Sequence, residues 1–308
     1  MSASETAEGP AAAGPSDAVL ISRVRAGDRA AYGLLRERHV AAARLLARHL
    51  MAGTDRPGHA ADEVVGETFA TILDVLRRGG GPRAGFRPYL IVALRRTAGA
   101  RASGERTRRE RRPPVTPAAV PDPDPYADPV LRGAATNMIA RAFLSLPERW
   151  RAVLWHSEIE GARPAAVAPL LGLTPNGVAA LDYAAREGLR QAYLQLYLAE
   201  SARRACRPAL DKLPAYLRGG LAARDTVVVE RHLSGCRDCA AIYTELADVK
   251  AVLRAIVGPL LLGAAAAGYL ADIAADSGGG LRRLWRHLPK RPRRRRGGRG
   301  ANTTVTRQ

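Results

Sequence analysis

All three cysteines of the chain fall between positions 206 and 239, and two of them close the run His232-Leu-Ser-Gly-Cys236-Arg-Asp-Cys239. A His-x3-Cys-x2-Cys spacing sets an imidazole nitrogen one helical turn ahead of a Cys-x2-Cys turn, which supplies three ligands at about 2.0–2.3 Å from one tetrahedral metal ion. Cys206 is the natural fourth. An odd cysteine count argues against a disulfide framework and for a reducing compartment, where clustered thiols do metal or redox work. The expected ion is Zn2+, held by Cys206, His232, Cys236 and Cys239. Three idle buried thiols are the plain alternative.

The elements that must position these ligands are helical. Cys206, Leu210, Leu213 and Leu217 share one register with Tyr216 beside it, a turn follows at Gly219-Gly220-Leu221, and Val227 to His232 resumes helical spacing. Two amphipathic helices joined by that turn bring Cys206 beside the other three ligands. Thr226-Val227-Val228-Val229 is the nearest approach to a strand, yet it runs into helix-spaced residues. An all-α fold is therefore predicted throughout.

A length of 308 residues permits two or three domains, and 47% apolar residues suffices for packed cores. The net charge is +19, almost all arginine, and positions 282 to 299 alone carry ten basic residues and no acid. Such blocks favour phosphates through counterion release, and a solvated tail or an acidic-lipid contact fits the terminal run equally. Residues 1–16 lack both early basic residues and an apolar core, so they read as a disordered lead-in rather than a secretory signal.

Helical periodicity runs from Asp17 to about Arg112 and breaks at Gly79 to Gly81. Positions 113–134 are proline-rich and aperiodic, as an extended linker is. Periodicity returns over 135–203, broken at Gly161 to Pro164 and at Gly172 to Pro175. The metal module spans 204–250, an uncharged apolar run covers 255–271, and a basic, disordered tail occupies 276–308. The apolar run either crosses a membrane or packs on the metal module or a partner; one span would place the basic tail and the N-terminal half on opposite sides.

From Pro164 to Val178 the chain reads as a short helix, a glycine able to take positive φ, an apolar plug at Leu173, Thr174 as N-cap and Pro175 in the first turn. This is a helix-turn-helix pattern, and any αα-hairpin with a glycine corner shares it. Ahead of it stand Leu146-Pro147-Glu148-Arg149, Val153-Leu154, Glu158 and Gly161. Together these residues resemble the promoter −35-binding region of extracytoplasmic-function sigma factors. Asp62-Glu63-Val64-Val65-Gly66-Glu67-Thr68-Phe69 is similar to the acidic-aliphatic helix of their first region, and Phe86-Arg-Pro-Tyr89-Leu90 leading into Arg95-Arg96 is similar to their melting segment. The two matched regions cover about 180 residues.

The resemblance implies that Asp62, Glu63 and Glu67 dock on core RNA polymerase. It implies that promoter DNA is met by Phe86, Arg95, Arg96 and Arg101 in the first region and by Thr174, Asn176, Arg186 and Arg190 in the second. Alanines at 179, 180, 184 and 185 stand on the second helix of the corner where such factors carry basic and hydroxyl residues, and Arg96 stands where they often have asparagine. The segment from Cys206 to Cys239, with Tyr216-Leu217 and Gly220-Leu221, resembles the zinc-binding anti-sigma domain, which implies an intramolecular contact with the sigma-like regions. The expected function is that of a cytoplasmic, non-enzymatic sigma factor with a cis-acting zinc domain. The alternative is a non-initiating signalling protein that keeps sigma-like helices.

Overall fold

A computed structural model of the chain describes residues 14–54, 56–109, 137–200 and 204–278. Every regular element among the described residues is helical, as the periodicity predicts. Residues 1–13, residue 55, the whole linker at 113–134 with its flanks (110–136), residues 201–203 and the tail beyond 278 lie outside them.

The first unit is a bundle of α1 (Asp17–Arg25), α2 (Arg29–Leu50), α3 (Pro57–Arg77) and α4 (Phe86–Arg109). Local chemistry starts these helices where they start. Ser16 caps α1 by accepting the Val19 N–H, Asp28 accepts the N–H groups of Ala30 and Ala31 at 2.9 and 3.1 Å, and Pro57 opens α3 where no amide donor is needed. Leu20, Leu35, Leu46, Val64, Ile72, Leu76, Leu90 and Leu94 fill the centre, all buried. The α3 helix stops because Gly79 and Gly81 take φ of +83° and +77°, a region that costs a residue with a Cβ.

The second unit comprises α5 (Met138–Ser145), α6 (Glu148–Leu154), α7 (Pro164–Leu171) and α8 (Pro175–Glu200). Between α6 and α7 the helix widens into a π turn at Trp155–Ile159. Helices α7 and α8 meet at 89°. Gly172 turns the corner at φ +65°, and Thr174 Oγ1 accepts the Gly177 N–H at 3.1 Å.

The third part holds α9 (Arg207–Leu210), α10 (Leu213–Leu217), α11 (Ala223–Gly235) and α12 (Arg237–Ala247). A last, irregular helical segment follows. It comprises α13 (Val249–Val252), a π turn at Leu253–Val257, α14 (Gly258–Leu262), a 3-10 turn at Gly263–Ala265 and α15 (Ala266–Gly278). Val249–Ala275 is 27 residues long and contains an 18-residue stretch with a mean hydropathy of 1.8, long and apolar enough to cross a bilayer. In the folded chain it lies against α2, α4 and the α6 π turn, so it packs on the first and second units rather than on the metal module alone. One continuous apolar core joins all the parts.

Candidate metal centre

Three helix ends build the centre. Cys206 closes the 3-10 turn Arg204–Cys206 that leads into α9; His232 sits in the last turn of α11; Cys236 is extended (φ −125°, ψ 103°) between α11 and α12; Cys239 lies in the first turn of α12. The apolar positions around them explain the placement. Leu210, Leu213, Val229, Ile242 and Leu246 are buried behind the cluster and fix the helices against one another. Tyr216 and Tyr243 add a ring contact with centroids 5.6 Å apart, and Lys212 pairs with Asp225 at 2.5 Å across the turn.

The four ligand atoms all lie within 4.8 Å of one another. Cys206 Sγ is 4.0 Å from Cys236 Sγ, and His232 Nε2 is 3.3 Å from Cys239 Sγ. Ligands at about 2.0–2.3 Å from a common tetrahedral centre stand roughly 3.3–3.8 Å apart, so the set fits one Zn2+. Cys206 and Cys239 are buried. Burial first, and then the neighbouring thiols, push Cys239 up to about 12, so three thiolates can share this space only around a cation. Cys236 is shifted the other way, chiefly because the Cys239 backbone N–H donates to its sulfur. Four protein ligands complete a tetrahedral shell, as in structural zinc sites.

Residues 206–240 match the family model described as "Putative zinc-finger". No curated protein matches the chain. The match starts on the first proposed ligand and ends one residue past the last. The C-terminal module thus has the zinc-binding character that its ligand spacing predicts, and the matched segment is the one that resembles the anti-sigma domain in its sequence.

The charged residues singled out in the sequence sit elsewhere. Asp62, Glu63 and Glu67 lie on the outer face of α3, with Asp62 bound to Arg44 at 3.2 Å. Arg101 reaches Glu63 at 2.6 Å and Glu67 at 3.7 Å, so this arginine of the expected DNA set neutralises two acids of the expected polymerase set. Phe86 is 1% exposed, stacked near His39 and Phe69 with centroids 5.0 and 6.4 Å away, and faces the core in this arrangement. Arg95 donates to the Leu260 carbonyl of the last segment, and Arg96 is half-buried on the same helix. Thr174 and Asn176 are exposed at the start of α8. Arg186 pairs with Asp182 at 2.9 Å and Glu158 at 3.5 Å.

Arg190 is directed at the metal module. Its Nε donates to the Leu246 carbonyl at 3.0 Å and its Nη1 binds Glu187. Glu187 also binds Arg218 at the end of α10, and Tyr193 Oη donates to Glu245 at 2.6 Å. The zinc module is therefore seated on α8. Leu210 and Leu213 are buried and Leu217 is half-buried, and charged and tyrosyl side chains hydrogen-bond the module to α8. Glu187, Tyr193, Arg218 and Glu245 carried no signal in the sequence, because each reads as an ordinary polar position of an amphipathic helix.

Proposed function

We propose that the protein is a promoter-specificity subunit of RNA polymerase, of the extracytoplasmic-function sigma type, restrained by its own C-terminal zinc module. The observation that carries this reading is the seating of the anti-sigma-like module on α8, the second helix of the 89° corner, through Arg218, Leu246 and Glu245. A corner of two helices near 90° is the geometry that presents its second helix to a DNA groove. A regulator bound to that helix competes with the groove. The α3 face bearing Asp62, Glu63 and Glu67 is the polymerase-docking surface in this reading, and its acids are exposed on one side of one helix. The reading assigns no catalytic role to the chain.

One observation favours the alternative of a signalling protein that no longer reads promoters. Ala179 and Ala180 are exposed near the start of α8, while Arg186 and Arg190 are engaged by acids of the chain itself. Base-edge readout needs donors and acceptors that reach the groove.

Transcription in vitro with core polymerase separates the two. The chain truncated after Arg204 should direct promoter-dependent initiation and bind core polymerase more tightly than the full chain. Reversing Asp62 and Glu67 to lysine should weaken that binding strongly. A truncated chain that binds polymerase but never initiates supports the signalling alternative. No binding to polymerase in any form removes the sigma-factor reading and leaves the signalling alternative.

A further inference from the structure

Where the first unit, the second unit and the last helical segment meet, the buried side chains are polar. Asp17 of α1 lies 2.7 Å from His39 Nε2 of α2, and Arg87 Nε of α4 donates to His39 Nδ1 at 3.0 Å. Arg87 Nη1 donates to both oxygens of Glu160, at 3.2 and 3.3 Å. His156 Nδ1 lies 2.9 Å from Glu160 Oε2. Tyr269 of α15 closes the chain by donating its hydroxyl to Glu160 Oε1 at 2.7 Å. Glu160 is 3% exposed and Tyr269 fully buried. A buried carboxylate needs both a counter-charge and donors to its lone pairs, and here they come from three different parts of the chain.

The last segment has further ties to both units. Arg254 Nε donates to the Ile159 carbonyl at 3.0 Å, Arg95 donates to the Leu260 carbonyl, and His49 Nε2 lies 2.9 Å from Asp272. Leu253, Val257, Leu261, Leu262 and Tyr269 are buried and Ile256, Leu260 and Leu270 half-buried, while the exposed positions 251, 255, 259, 264 and 267 carry only alanine or proline. A helix selected for lipid is apolar all round, whereas one selected to cover a protein core carries its bulk on a single stripe. Gly263, at φ +65° and ψ −146°, also breaks the helix midway.

We propose that residues 249–275, despite their apolar length, are an intramolecular clasp for the groove between α2, α4 and the Trp155–Ile159 turn, and that the Tyr269 hydroxyl on Glu160 is its latch. Docking completes the hydrogen bonding of the Glu160 carboxylate. Release removes one donor from that buried charge and uncovers the apolar groove. The clasp rests only on these contacts and holds whatever the two units bind.

The test is hydrogen–deuterium exchange on the full zinc-loaded chain. Tyr269→Phe keeps the ring and deletes the hydroxyl; exchange should rise about tenfold or more in 253–262 and in Trp155–Ile159, because a hydrogen bond to a buried charge is lost. Zinc content and protection of 206–240 should not change. Leu261→Ala, which keeps the hydroxyl bond and removes apolar contact, should loosen the same two stretches. Unchanged exchange at Trp155–Ile159 in Tyr269→Phe overturns the latch, and in Leu261→Ala it overturns the clasp. Neutral phosphatidylcholine vesicles, which exert no electrostatic pull on the arginine tail, give a separate reading. The wild-type chain should remain unbound to them on flotation, and co-flotation with residues 249–275 shielded from added protease would also overturn the clasp.

Discussion

The carboxylate of Glu148 lies 2.7 Å from the backbone nitrogen of Gly85, and it takes the neighbouring N–H groups of Ala84 and Arg83 at 3.0 Å as well. Glu148 opens α6 in the second unit; Gly85 immediately precedes α4 in the first. Three successive amides converging ahead of a 24-residue helix form an electropositive cradle, and the fold fills it with its own anion. The loop ahead of α4 is thereby tied to the second unit.

Replacing that anion should free the loop. Glu148→Gln keeps the shape but removes the charge, so the N–H···O contacts of the three amides weaken from charge-assisted to neutral; about 1–3 kcal/mol of stability should be lost. Urea unfolding measures the loss, and amide exchange at 83–85 localises it. If exchange at those three amides stays at the wild-type rate, the cradle does not hold the loop.

Gly188 on α8 is a packing requirement. A Cβ built there would stand 2.0 Å from the Trp150 ring, which a core cannot absorb by small shifts. Gly188→Ala should therefore destabilise the second unit by more than about 2 kcal/mol despite alanine's better helix propensity. A gain in thermal stability would mean that Trp150 has room to move aside.

Much of the architecture was legible in the residues. Glycine and proline punctuation at Gly79 to Gly81, Gly161 to Pro164 and Gly172 to Pro175 coincides with the ends of α3, the α6 π turn and α7, because positive φ and a missing amide donor act locally. Ligand spacing placed the metal centre for the same reason: His232, Cys236 and Cys239 lie within eight residues, and only Cys206 had to come from afar. What the sequence did not disclose is tertiary. His39, Arg87 and Glu160 look like surface charges on helices, and only packing makes them a buried knot. The apolar run at 255–271 reads the same whether lipid or protein covers it, and its burial against α2 and α4 depends on residues more than 150 positions away.

Metal removal should act on one part of the chain first. Cys239 is fully buried, and Cys239→Ser should reduce bound zinc below one equivalent and loosen 206–247, while α1 to α4 keep their own apolar core. Metal analysis with exchange mass spectrometry reads both effects. Full zinc content in a Cys236/Cys239 double substitution would remove the assigned ligand set, and uniform loosening of the first unit would show that the zinc module supports the whole fold.

Acid should expose two opposed titrations. Burial, above all, pushes His39 down to about 4 from an ordinary 6.5; its Nδ1 accepts from Arg87, so the folded chain keeps it neutral. The unfolded chain takes up that proton first, so this contribution is complete above pH 6.5 and is lost as the pH falls toward 4, by roughly 3 kcal/mol over the window. Asp182 behaves oppositely. Burial, and after it the adjacent Glu158 carboxylate, raises it to about 6 against the partial relief of Arg186, so its unfavourable charge is present above pH 6 and is relieved as the pH falls through 6 toward 3.8. Between pH 4 and 6 the two nearly cancel. Below about pH 4.5, Glu160 and Asp17 add to the loss, since the Arg87 charge and the His39 hydrogen bond hold their carboxyls below the usual range despite burial. Asp182→Asn removes one side of the balance: it should stabilise the chain at pH 7 by about 1–3 kcal/mol and turn a shallow profile between pH 6 and 4 into a steep decline. Urea midpoints for both chains across pH 4–7 decide the matter, and parallel profiles would mean that Asp182 is ionised in the fold at little cost.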